Sequence, residues 1–305
     1  MYDLIIVGGG PAGVAAGIYA ARKKIKSTII LESFGGQSLV SAGIENWIGT
    51  KSVSGFDFSQ MLEAHLRAQE GIDIFDGDLV VKVEKEGDSF KVMTRDGKAL
   101  EARTILVASG SKRRKIGVPG EAEFEGRGVA YCSTCDAPIF KDKDVAVIGG
   151  GNAGLETVVD LFAYASKIYL LEFGEALKGD PITQEKIKAH PKTEIILNAK
   201  TLEVLGDQFV TGLKYEDRKS GENKELKVGG VFVEIGSIPN ADFVAGLVSV
   251  NKAGEIIVDH RTQESSLEGV WAAGDVTDVL YKQNNISAGD AIKAVLSIYD
   301  YLNKK

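Results

Sequence analysis

Twice in this chain a short apolar strand runs straight into a glycine turn that opens a helix. Asp3-Leu4-Ile5-Ile6-Val7 leads into Gly8-Gly9-Gly10-Pro11-Ala12-Gly13 and a helical run to about Lys24. Asp144-Val145-Ala146-Val147-Ile148 leads into Gly149-Gly150-Gly151-Asn152-Ala153-Gly154 and a helix to about Ala165. Both are G-x-G-x-x-G between a strand and a helix. The first glycine permits the tight turn, the second lets a pyrophosphate approach the backbone, and the third lets helix and strand pack closely. Unpaired N–H groups at the helix start attract phosphate. After each turn a second strand, Ser27–Leu31 or Lys167–Leu171, ends on an acid, Glu32 or Glu172. Each acid stands about 20 residues past its turn, where a ribose hydroxyl expects a carboxylate. A glycine-rich turn without a ligand is the plainer reading of one copy; two complete copies are far more specific. They predict an α/β chain with two Rossmann-like dinucleotide-binding domains, one dinucleotide tightly held and the other exchanging.

The remaining chain fits around these two cores. Residues from Phe56 to about Glu70 read as an amphipathic helix. Alternation at Leu79–Lys85 and Phe90–Thr94, with turns at Gly87-Asp88 and Asp96-Gly97, predicts an antiparallel β insertion. Thr104–Ala108 returns as a buried strand before Ser109-Gly110. Ile195–Leu197, Thr201–Leu205, Phe209–Tyr215, Val231–Ile235, Ile256–Val258 and Val270–Ala272 read as further strands, and a last helix runs from about Ala288 to Leu302. The loop from Gly35-Gly36-Gln37 through Asn46-Trp47 could lie over a bound cofactor or merely cap the sheet. Asp275 follows Gly274 at a strand end; it could accept ribityl hydroxyls or cap a turn.

The only two cysteines of the 305 residues stand together in Tyr131-Cys132-Ser133-Thr134-Cys135-Asp136. Two thiols at this spacing can close a small disulfide ring, or sit at a helix N-terminus whose dipole favours the thiolate. A structural disulfide across so short a loop would constrain the unfolded chain little. A zinc centre would need two more ligands than the pair supplies, and two buried apolar thiols would need no partner at all. C-x-x-C near a β-α-β pattern reads as a redox motif. Asp136, next in sequence, could supply the proton that a departing thiolate needs.

At the second turn, the residues after Glu172 bear on which nicotinamide dinucleotide would bind. A 2′-phosphate calls for cations, typically arginine, whereas a free 2′-hydroxyl suits a carboxylate. No arginine lies between Phe173 and Lys192; Glu175 and Asp180 add negative charge, and Lys178, Lys186 and Lys188 are the only cations before His190. NADH is therefore expected over NADPH. Histidines 65, 190 and 260 are scattered and read as surface or packing residues, with no metal site. Lys112-Arg113-Arg114-Lys115 reads as a solvated linker, or as a docking patch for an acidic partner. A net charge of −7 argues against a nucleic-acid surface. No apolar run approaches the ~18 residues of a membrane span, and a strand pattern at the very start is not a targeting peptide, so a cytoplasmic location is expected.

Taken together, these features resemble the low-molecular-weight thioredoxin reductase family almost end to end. The resemblance rests on Gly8–Gly13, Glu32, Gly35-Gly36-Gln37, Ala108-Ser109-Gly110, Cys132–Asp136, Gly149–Gly154 and Gly269–Asp275. Leu170-Leu171-Glu172-Phe173, Ile195–Ala199, Gly254–Ile257 and Tyr281-Lys282-Gln283 are most similar to the flavoprotein subunit of alkyl hydroperoxide reductase within that family. That subunit carries an N-terminal thioredoxin-like module, which this chain is expected to lack. The resemblance implies three-layer ββα domains. An FAD domain in two segments, 1–115 and 244–305, would flank an inserted nicotinamide domain, 116–243, that bears the redox disulfide. It implies FAD on Gly8, Gly10, Pro11, Ala12, Gly13, Glu32, Gly36, Gln37, Asn46, Ala108, Ser109, Gly110, Gly274, Asp275 and Gln283. It implies NAD(P)H on Gly149, Gly151, Asn152, Ala153, Gly154, Glu172 and Gly236.

By motif position Cys135 would face the flavin, Cys132 would attack a partner disulfide, and Asp136 would act as acid and base. The implied electron acceptor is a separate thioredoxin- or glutaredoxin-like protein, feeding a peroxiredoxin, and the implied assembly is a homodimer. Hinges would lie near Pro119 and Pro239. The arginine-rich stretch of NADPH-using members is missing, in keeping with NADH. Ala137 replaces the family's usual glycine and Ser133 its usual alanine or proline. The competing enzyme is a flavin-dependent NAD(P)H oxidase or a ferredoxin or quinone reductase that does not need the cysteines. The non-enzymatic alternative is a redox sensor or a zinc-bridged interaction protein.

Overall fold

The computed structural model describes residues 1–41 and 43–304. They form two compact units: residues 1–41, 47–112 and 238–304 make the first, and residues 43–46 and 113–237 the second.

The first unit is built on a seven-stranded sheet. Ile72–Asp76, Ser27–Leu31, Tyr2–Val7 and Ala99–Val107 lie parallel in that order. The long strand Ala99–Val107 serves two neighbours on its far side. Its start pairs antiparallel with Ser89–Thr94, which pairs with Val80–Glu86, and its end pairs parallel with Val270–Ala272. Alternate side chains of the central strand enter different cores. Leu4 and Ile6 pack with Val14, Ile18, Leu66, Val295 and Ile298 from three helices. Ile5 and Val7 pack with Val83, Phe90, Val92, Val244 and Ile256. Both faces are covered, which is why Leu4–Val7 reads as an unbroken apolar run rather than an alternating one.

The second unit repeats the plan. Thr193–Leu197, Lys167–Glu172, Asp144–Ile148, Gly230–Val233 and Val129–Ala130 form an all-parallel sheet. Val145 and Val147 pack against Leu155, Val158, Leu161 and Ile187 on the helix side. Ala146 and Ile148 pack against Val204, Leu213 and Tyr215 of the antiparallel meander Ala199–Gly206, Val210–Asp217 and Glu222–Leu226. The phase is that of the first unit: the residue after the strand's aspartate faces the helices in both. The expected architecture of two Rossmann-like domains, the second inserted in the first, is the observed one.

Several elements differ from expectation. Ile256–Val258 makes only isolated bridges, to Val250, Thr277 and Ser265. Ile256 and Val258 are buried and Ile257 is exposed, so the alternation is real, but each neighbouring segment meets it only at a single bridge. The last helix begins at Asn284 rather than near Ala288. Helix Pro181–Ala189 was not expected; Asp180 caps it by accepting from the Thr183 N–H at 2.9 Å. The chain passes between units at 112/113 and 237/238, where sequence reasoning placed domain limits at 115/116 and 243/244. Pro119 belongs wholly to the second unit, its carbonyl accepting from the Val204 N–H at 2.9 Å.

Each glycine turn closes on bare backbone. Gly8 and Gly149 adopt φ of 117° and 116°, which L side chains rarely tolerate. A Cβ on Gly13 would strike the Gly8 carbonyl, and one on Gly154 the Gly149 carbonyl. Gly13→Ala and Gly154→Ala should therefore each lower unfolding stability by about 1–3 kcal/mol, read by urea denaturation. An unchanged midpoint for both variants would contradict the close packing.

Candidate active site

The first glycine turn forms one wall of a cavity of about 550 Å³ in the first unit, within the ~300–1,000 Å³ typical of sites for cofactor-sized ligands. Gly8, Gly10, Pro11, Ala12, Glu32, Gly36, Gln37, Ala108, Ser109, Gly110 and Asp275 line it. Gly10 caps the helix Pro11–Arg22 with no side chain, so the helix start offers its N–H groups unscreened. A Cβ on Gly10 would find only Gly36 at 4.0 Å, so the floor of the turn is open to a ligand. Across the cavity, Asp275 is held as an acceptor by the Gln37 amide at 3.3 Å and the Ser287 hydroxyl at 3.2 Å. Ser109 and Asn240 bind reciprocally: the Ser109 hydroxyl donates to the Asn240 carbonyl at 2.6 Å and the Asn240 amide to the Ser109 carbonyl at 2.9 Å. An uncapped helix start, bare glycines and a hydroxyl-accepting carboxylate fit a phosphate-bearing dinucleotide with a polyol arm, as FAD has. Gly13, Gly274 and Gln283 stand off the lining: Gly13 and Gly274 serve packing, and the Gln283 carbonyl accepts from the Ser287 N–H. Glu32 is open to solvent and paired with Arg95 at 2.9 Å.

The second turn differs in exposure. Gly151 caps helix Asn152–Leu161 without side-chain help, and a Cβ there would meet nothing within 4 Å. Asn152 and Ala153 are exposed, whereas Pro11 and Ala12 at the first turn are buried. Glu172 is buried, and its two oxygens accept from the Gly150 N–H at 2.7 Å and the Gly174 N–H at 2.8 Å. The acid that ends the second strand thus pins the glycine turn from the side. Gly236 has φ of 96°, and its carbonyl accepts from the Arg114 N–H.

The same unit carries both thiols, which are free and half-buried. Cys132 caps a single helical turn, Ser133–Asp136, too short for its dipole to govern the thiols. Their difference arises between them. The hydrogen bond to Cys135 pushes the Cys132 thiol strongly up, with burial adding to it. The same bond draws Cys135 down despite burial, with help from the Asn46 amide at 4.0 Å and from Arg113. These influences favour the thiolate at Cys135, with Cys132 as its proton donor. Asn46, expected at the flavin, belongs to the second unit, and its amide lies 4.0 Å from the Cys135 sulfur.

Two carboxyls of this unit, one of them next to Cys135, are raised. Burial pushes Asp136 up to about 6, against the pull of Arg113. Burial pushes Glu234 up to about 7, with Arg113 and a 3.1 Å hydrogen bond from Thr157 opposing it. The Ser133 hydroxyl donates to Asp160 at 2.7 Å. The charge run is thus not a uniform linker. Lys112 lines the cavity, Arg113 acts on both thiols and both acids, and Lys115 pairs with Glu125. Sequence reasoning missed Glu234, Asn240, Asn284 and Ser287. Asn284 and Ser287 were hidden by the late start assigned to the last helix; Glu234 lies in an apolar strand run and carries no motif.

The model of the pyridine nucleotide-disulphide oxidoreductase family matches residues 2–292. The chain is 42% identical over 301 residues to a Bacillus subtilis (strain 168) protein named NADH dehydrogenase. It is 45% identical over 305 residues to the F subunit of alkyl hydroperoxide reductase of Pseudomonas putida. Each match covers 99% of this chain and 58% of the relative. Among solved structures, thioredoxin reductase from Streptococcus pyogenes MGAS5005 superposes with a TM-score of 0.92 at 33% identity, covering 100% of this chain and 99% of the other.

A carboxyl whose folded pKa exceeds its unfolded one lends stability at low pH and loses it as the pH rises through the folded value. For Glu234 that window runs from 4.5 to about 7. Glu234→Gln should match wild type most closely near the bottom of the window and surpass it by about 2–3 kcal/mol at pH 8, measured by urea unfolding at each pH. A gap independent of pH would show that burial does not raise this group.

Proposed function

The chain belongs to the pyridine nucleotide-disulphide oxidoreductase family, and on that footing we propose that it reduces the disulfide of a separate thioredoxin- or glutaredoxin-like protein with electrons from NADH. FAD, when bound in the first unit, supplies the two-electron carrier between nicotinamide and disulfide. The observation that carries this reading is the placement of the only two cysteines, free and half-buried, in the unit that also holds the second glycine turn.

Each residue near the thiols has its own part. Opening the Cys132–Cys135 bond takes up two electrons and leaves the charge on Cys135, lowered by its neighbour's hydrogen bond. Cys132 takes the proton, for which Asp136, raised to about 6, is the nearby store. For Cys132 to attack a partner disulfide it must shed that proton. The bond to Cys135 is the path: the proton passes to the Cys135 sulfur, the Cys132 sulfur attacks, and one partner sulfur departs as thiolate. Cys135 then loses its proton to Asp136 and displaces the second partner sulfur, restoring the disulfide. The net change is oxidation of NADH and conversion of one partner disulfide to two thiols.

Glu172, a buried acid at the end of the second strand, supports NADH over NADPH. The name of the Bacillus subtilis relative agrees with that choice, and the name of the Pseudomonas putida relative supports a peroxiredoxin downstream. The resemblance supports a cytoplasmic homodimer. No helix among the described residues is long and apolar enough to cross a membrane. The Bacillus subtilis name also favours a second reading, transfer to oxygen or quinone without the thiols.

Cys135→Ser should cut reduction of a thioredoxin-fold substrate at least about a thousandfold while NADH still bleaches the flavin in anaerobic stopped flow. Turnover that survives both Cys132→Ser and Cys135→Ser would select the second reading. The ratio of kcat/KM for NADH to that for NADPH should be at least about tenfold, a difference of ~1.4 kcal/mol.

A further inference from the structure

We propose that Phe173 and Arg218 of the second unit form the seat of the adenine ring, and so set affinity at the adenosine end of the nicotinamide dinucleotide; this rests on the reading of Gly149–Gly154 as the dinucleotide turn. In such a turn the end of the second strand lies at the adenosine ribose. Here that strand ends at Glu172, whose oxygens are already engaged by the Gly150 and Gly174 N–H groups. The next residue, Phe173, therefore stands where the base leaves the ribose. Its side chain is 55% exposed, so the core does not require an aromatic there.

The ring is nevertheless fixed. Arg218 donates through Nη1 to the Phe173 carbonyl at 2.9 Å, and its guanidinium carbon lies 4.0 Å from the ring centre. Arg218 is held in turn: its N–H donates to the Asn198 carbonyl at 2.9 Å, and the Asn198 N–H donates to the Gly174 carbonyl at 2.9 Å. Asn198 takes a left-handed φ of 57°, which brings the loop after Glu172 and the turn that begins at Arg218 to the same residue. Three segments thus build a π-face and a planar cation beside the expected ribose. Aromatic rings and guanidinium planes are the two side-chain surfaces on which bases stack. The adjoining charges are Glu172 and the exposed Lys178, whose Nζ lies 3.9 Å from a Glu172 oxygen. A linear search of the stretch after Phe173 finds no arginine, because this one arrives from the meander.

The test titrates ADP-ribose and 2′-phospho-ADP-ribose into the full chain by calorimetry. Phe173→Ala and Arg218→Ala should weaken ADP-ribose on the order of tenfold. Arg218→Lys, which keeps a cation but lacks the planar face, should lose nearly as much. In flavin reduction KM for NADH should rise with kcat held, while reduced nicotinamide mononucleotide, which has no adenosine, should react with each variant as with wild type. Three results would overturn the proposal: wild-type affinity for ADP-ribose in both alanine variants, a loss confined to the 2′-phosphorylated ligand and rescued by Arg218→Lys, or equal losses for NADH and the mononucleotide. A wild-type protein that neither binds ADP-ribose nor oxidises NADH would remove the underlying reading of the turn, and this proposal with it.

Discussion

Both halves of the molecule depend on one steric condition: a helix may descend onto its strand only where nothing projects between them. At Gly13 and Gly154 the Cα atoms lie so near the carbonyls of Gly8 and Gly149 that a methyl group has no room. The left-handed φ of Gly8 and Gly149 turns each strand sharply enough for the helix to begin there. From this contact follow the direction of both helices, their uncapped starts and the open floors of the turns. The cores then fill by alternation, with Leu4 and Ile6 on the helix side of one sheet and Val145 and Val147 on the helix side of the other.

The two turns share this geometry and differ in their surroundings. Pro11 and Ala12 are buried beside a large cavity, whereas Asn152 and Ala153 face solvent. A ligand on the first would be enclosed, and one on the second would come and go. The thiols sit in the second unit, and the hydrogen bond between them, rather than a helix dipole, favours the charge on Cys135. Burial favours the neutral form of Asp136 and Glu234, and the charge of Arg113 pulls both back towards ionisation.

Local pattern made the scaffold legible. Leu4–Val7 and Val145–Ile148 are unbroken apolar runs, each followed by a glycine turn in its full context, and the cysteine pair stands alone. Elements with little apolar pattern were not legible. Val129–Ala130 is a two-residue strand, and Glu222–Leu226 is almost wholly exposed. Ile256–Val258 has the buried–exposed alternation of a strand, but its neighbours meet it only at isolated bridges. Contacts between distant segments were hidden most thoroughly. Arg218 reaches Phe173 across 45 residues and Asn46 reaches Cys135 across 89, and no spacing rule links either pair. Arg113 lay inside a run of cations whose plainest reading was solvation, and its place beside the acids emerges only in the folded chain.

Helix Asn152–Leu161 has a property that neither of its ends shows alone. One turn apart, it carries Thr157, bound to Glu234, and Asp160, bound to Ser133 between the two cysteines. Its amino end is the one left bare at Gly151. The helix is thus a stiff lever with its free tip at the second glycine turn and its two couplings at the buried acid and the thiol loop. Any axial slide of the lever is felt at both couplings in the same instant.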